Sequence, residues 1–120
     1  MASASYLQRG ETLDYKNNGD SKIDANTIIV YGARIGVTGC EILPGAVGTL
    51  HVAGVFELPK KDNTAINAGV DVYWNPDSTA PGVTASADDG ETTPTAYVKV
   101  GYAAYAAAAS DTTILVKVNA

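Results

Sequence analysis

Apolar and polar residues alternate over short runs along this chain, the period of a half-buried β-strand. Ile114, Val116 and Val118 share one side of such a run, opposed by Leu115 and Lys117. Val70, Val72 and Trp74 alternate with Asp71 and Tyr73, and Ala96, Val98, Val100 and Tyr102 with Tyr97 and Lys99. From Thr49 to Phe56, Leu50, Val52 and Phe56 point one way, while Thr49, His51 and Val55 point the other. Gly54 interrupts that run and predicts a bulge or a strong bend. Thr27–Tyr31 reads as a buried strand closed by Gly32, and Arg34–Thr38 as a short strand after it.

Turn residues punctuate these runs: Asn17-Asn18-Gly19-Asp20, Leu43-Pro44-Gly45 and Ala68-Gly69. Asn and Gly tolerate positive φ, and Pro presets the first corner of a turn. About seven or more short strands at this spacing predict an all-β fold, a small β-barrel or sandwich. Residues 1–14 are polar with isolated Tyr6, Leu7 and Leu13, and predict an extended arm that orders against a partner or the sheet edge. Residues 75–95 are rich in Asp, Ser, Thr, Gly and Pro and predict a long exposed loop or hairpin. The run Ala103–Ala109, broken only by Tyr105, is too short for an isolated helix and predicts a turn or wide connection. No internal repeat stands out.

A chain of 120 residues, 46% apolar, is the size of one domain with one core, here expected over residues 1–120. Its formal charge of -5 repels phosphate backbones, so nucleic acid is a disfavoured partner. Lys60-Lys61, followed by Asp62, reads as a solvated turn. The first residues lack the basic and apolar regions of a signal peptide, and no apolar run approaches membrane-spanning length. The expectation is a protein kept in a cytoplasm or carried in a particle assembled there, with no membrane partner.

Candidate chemistry is sparse. The lone Cys40 has no Cys or His at ligand spacing and reads as a small buried residue. His51 falls mid-strand, and there is no Gly-x-Ser-x-Gly elbow to accompany it. One His and one Cys make a poor zinc set, so no metal or cofactor is expected. Gly32–Gly39 is glycine-rich but lacks the Gly-Lys-Ser/Thr ending of a phosphate loop. Asp88-Asp89-Gly90-Glu91 reads as a solvated acidic turn in preference to a calcium loop. Tyr73, facing outward beside Asp71, has the character of an interface residue. These observations predict a protein that is not an enzyme.

The order of certain phrases carries a resemblance. Gly10-Glu11-Thr12-Leu13-Asp14-Tyr15 is followed by Ile35-Gly36-Val37 and by Gly54-Val55-Phe56-Glu57-Leu58-Pro59-Lys60. Then come Ala68-Gly69-Val70-Asp71-Val72-Tyr73-Trp74-Asn75, Val100-Gly101-Tyr102-Ala103-Ala104 and Ile114–Asn119. From about Gly10 to Asn119, outside residues 76–94, the chain resembles the capsid cement, or decoration, proteins of tailed phages and prophages. That resemblance implies a β-barrel-like subunit, often a homotrimer, bound to the major capsid protein on the capsid exterior and reinforcing the head against packaged DNA. It implies a virion location, with host cytoplasm during assembly. Some relatives carry a recombinase label, which the acidic charge and lack of a nucleotide loop argue against. Expected shell contacts are the arm residues Tyr6, Leu7 and Arg9, then Asp71 and Tyr73. An alternative is a head-fibre or lectin-like module holding host glycans through the residue 75–94 loop. A small hydrolase ranks last.

Overall fold

The computed structural model describes residues 2–120. The strands are β1 (Thr12–Lys16), β2 (Ile28–Tyr31), β3 (Arg34–Thr38), β4 (Val47–His51), β5 (Val55–Pro59), β6 (Asp71–Asn75), β7 (Gly82–Thr84), β8 (Val98–Ala103) and β9 (Thr113–Val118). They form two antiparallel sheets, a four-stranded one in the order β1-β4-β3-β2 and a five-stranded one in the order β5-β9-β8-β6-β7. Among the described residues there is no helix, and the alanine run is a bend and turn. A single parallel bridge from Lys60 to Val83 draws the edges of the five-stranded sheet toward each other. The sheet curls without closing, so the fold is sandwich-like and not a closed barrel.

The sequence reading places Thr49 to Phe56 on one strand; the chain instead breaks at Gly54. Its φ of 117° is costly for any residue with a Cβ, and the chain there passes from the first sheet to the second. Each sheet is therefore built from a contiguous half of the chain.

The halves repeat one topology, a repeat that the sequence reading misses. Dropping β7 leaves β5-β9-β8-β6, which matches β1-β4-β3-β2 strand for strand. The connections match too. Ile23 and Ile42 exchange backbone hydrogen bonds at 2.9 and 2.8 Å, as do Ile66 and Ala107. The Thr38 N–H donates to the Thr27 carbonyl and the Ala103 N–H to that of Val70. Asn26 and Gly69 hold the same turn position, both at positive φ (63° and 85°). Asn17 and Lys60, both buried, reach the carbonyls of the neighbouring loops in each half.

The larger core lies inside the curl of the second sheet, where Leu58, Ile66, Val72, Trp74, Val83, Val100, Ile114, Val116 and Val118 pack together. Trp74 is buried as the alternation of β6 predicts, and β9 turns Leu115 and Lys117 outward as expected. From the first half, Ile35 joins that core and half-buried Ile28 packs against it. The first half buries Val37, Ile42 and Leu50 around Thr38 and Asn17. Between the halves stands Asn119: its Oδ1 accepts from the Ile35 N–H, and its Nδ2 donates to the Ile35 and Val52 carbonyls.

Several residues depart from expectation. A register shift between Val72 and Tyr73 bulges β8, so Tyr102 turns away from Val100 to the outer face. Cys40 is exposed, because it follows β3 on a bend instead of lying within a strand. β2 is a sheet edge, half exposed, and not a buried strand. Lys60 and Lys61 are not simply solvated: the Lys60 ammonium meets main-chain carbonyls, and Lys61 pairs with Asp77 at 2.7 Å. The polar loop contains β7, whose Gly82-Val83-Thr84 is buried.

Candidate interaction surfaces

The outer face of the five-stranded sheet is set by the strand period, because residues opposite Leu58, Val72 and Val116 must point outward. The register runs Val55, Lys117, Tyr102 and Asp71 across four strands in one row. Beside that row Glu57 faces Leu115, and Tyr73 faces Lys99 and Thr84. Asp71 and Lys99 pair at 3.4 Å, both solvent-exposed, so the contact orients the two side chains more than it stabilises the fold. Two half-buried tyrosines, two exposed aliphatics and paired charges thus share one surface. Tyr and aliphatic groups ringed by charge are the ordinary composition of a protein interface.

Of the five expected contact residues, the structure brings Asp71 and Tyr73 together on this face. Tyr6, Leu7 and Arg9 lie elsewhere, on an extended segment that precedes β1. Tyr6 is 82% and Leu7 89% exposed, and Arg9 pairs only with its neighbour Glu11 at 3.2 Å. Sequence reading misses Tyr102, Leu115 and Val55 as members of the face. For Val55 and Leu115 the alternation carried the signal, whereas Tyr102 is placed there by the β8 bulge.

The residues considered for chemistry have structural tasks. His51 lies on β4 with its ring tilted against Phe56, centroids 5.9 Å apart, and its Nε2 edge covers Gly39. Asp89 accepts from the N–H groups of Glu91 and Thr95, which hold its carboxyl below the ordinary 3.8. Asp77 is held below that value by the hydrogen bond from Lys61, then by the Thr79 N–H. In the long loop these two carboxylates therefore serve the loop's own conformation.

A concave feature lies on the four-stranded half. Leu13 of β1 and Tyr31 of β2 line a cavity of about 220 Å³ with Arg34, Val52 and Asn119. Its mouth lies between two sheet edges that no other strand covers.

No curated protein and no solved structure matches the chain significantly. Residues 7–118, nearly its full length, match the family described as phage cement protein. An all-β subunit with broad exposed faces suits such a family, and on that match the chain belongs to the phage cement proteins, with a capsid-associated place in the virion.

Proposed function

We propose that this protein binds the outer surface of the assembled phage head as a non-enzymatic homotrimer and stiffens it against internal DNA pressure. The observation that carries the reading is the row Val55, Lys117, Tyr102 and Asp71, with Tyr73 and Leu115 beside it. A twisted sheet backed by a packed core is rigid, so this face offers a preformed contact at low entropic cost. A modest patch of roughly 800 Å² per subunit suffices when three act together. Because the assembled shell presents the site and free capsid subunits do not, binding stabilises the shell by mass action. The arm residues Tyr6, Leu7 and Arg9 complete the attachment by ordering against a neighbouring subunit.

The test is co-sedimentation with purified capsids emptied of DNA. Tyr73→Ala combined with Tyr102→Ala should weaken binding at least tenfold, as loss of central tyrosines does at other interfaces. Its melting temperature should stay near that of wild type. In a separate assay, DNA-filled heads coated with wild-type protein should withstand higher temperature before releasing DNA than uncoated ones. Undiminished pelleting of the double variant would remove this face from the contact, and failure of wild type to pellet would end the cement reading.

A further inference from the structure

The repeat within the chain shows what the cavity between β1 and β2 lacks. In the second half, the equivalent gap between β5 and β6 is filled by β7. β7 runs antiparallel to β6, with Trp74 opposite Val83, and touches the end of β5 through the Lys61 N–H and Val83 carbonyl at 2.9 Å. Val83 is fully buried there and Trp74 is 8% exposed. In the first half, Tyr31 holds the position of Trp74 and is 47% exposed, and Val30 beside it is 48% exposed. Because Thr27 bonds to β3, the alternation turns Ile29 and Tyr31 toward β3 as well. The N–H and C=O groups of Ile28 and Val30 therefore point to the open edge. An apolar slot and a row of unpaired backbone groups together specify an extended strand as the occupant.

The orientation rules out the molecule's own arm. A strand antiparallel to β2 runs parallel to β1, and a parallel neighbour needs a crossover of about a dozen residues. Only Gln8–Glu11 separate Leu7 from the start of β1. The same arm on another copy is free of that constraint. Residues 2–9 are exposed and belong to no strand; with Gly10 they would span about 30 Å when drawn out, and they carry Tyr6 and Leu7 as unburied apolar side chains.

We propose that the slot between β1 and β2 receives the arm of a second copy, residues 2–10, which adds to β2 as an antiparallel strand; of the consecutive Tyr6 and Leu7, one seats against Tyr31 and Leu13 and the other lies on the opposite face beside Val30. This contact is heterologous, arm to slot, so it repeats from copy to copy, and in the trimer proposed above the third arm meets the first slot. It rests on the self-assembly proposed above and names the surfaces that bring it about.

Complementation tests it. One variant lacks residues 2–10 and keeps its slot. The other carries Val30→Pro, which removes an outward N–H, and keeps its arm. Masses are read by sedimentation velocity, with melting curves as the folding control; Val30→Lys, an edge charge, replaces the proline if that variant unfolds. Wild type should be oligomeric, each variant alone monomeric, and an equimolar mixture a heterodimer. A mixture that stays monomeric overturns the proposal, as does a slot variant that assembles normally. An arm-deleted protein that still assembles but no longer pellets with emptied capsids assigns the arm to the shell and overturns the slot alone. A wild type that is monomeric at every concentration overturns the proposed trimer and the slot together, while its pelleting with capsids reports separately on the cement reading.

Discussion

Asn119→Ala removes a side chain of the second half that is bonded to two residues of the first. The Oδ1 bond to the Ile35 N–H is 3.2 Å long, and the Nδ2 bonds to the Ile35 and Val52 carbonyls are 2.8 Å each. Neutral hydrogen bonds contribute about 1 kcal/mol apiece. The site is part-buried, so water recovers some of that, leaving about 2 kcal/mol. Asn119 also sits at φ 58°, where alanine costs roughly 1 kcal/mol more than asparagine. The sum is about 3 kcal/mol. With a urea slope of roughly 1.5 kcal/mol per molar, the unfolding midpoint should fall by about 2 M. Asn119→Gly loses the bonds but escapes the backbone strain, so its midpoint should recover roughly a third of that fall. A midpoint for Asn119→Ala within about 0.3 M of wild type, at unchanged slope, would refute the latch.

Other substitutions test the two cores and the loop. Leu50→Ala, at a fully buried position over Gly36, should cost about 3 kcal/mol by the same urea assay. Gly101→Ala should leave little folded protein in a circular dichroism melt, because a Cβ there would collide with the Lys117 carbonyl. Asp77 and Asp89 have folded values below the ordinary 3.8, so the fold favours their charged forms. Their contribution is complete above the unfolded value and disappears as pH falls through the folded one. Melting temperature should decline from about pH 4 downward, and Asp77→Asn should flatten part of that decline.

What was legible in the sequence was local. Ile114, Val116 and Val118 alternate cleanly with exposed Leu115 and Lys117, and the strand forms as read. The repeat was hidden because equivalent positions keep their geometry and not their residues. Leu50 corresponds to Val116, Ile42 to Ala107, and Asn17 to Lys60, pairs that no residue-by-residue comparison would join. β7 was hidden because three residues within a polar loop carry too little pattern, and only Trp74 opposite makes Val83 a core residue. Of the outer face of the second sheet, the shared side of Asp71 and Tyr73 was readable from alternation. Tyr102 was not, since one extra residue in a bulge reverses every side chain beyond it. The slot could not be read at all, because it is defined by a strand present in one half and missing from the other.

The unequal burial of the two halves has a mechanical consequence. Most of the buried apolar side chains sit inside the second sheet, while the first buries a few beside a threonine and an asparagine and leaves its flanks open. Under load the subunit should not deform evenly. Residues 10–53 should yield first and exchange their amide hydrogens sooner, while the tyrosine-bearing sheet holds its shape. On the attachment proposed above, a swelling head would meet a compliant joint on one side of each subunit and a hard pad on the other.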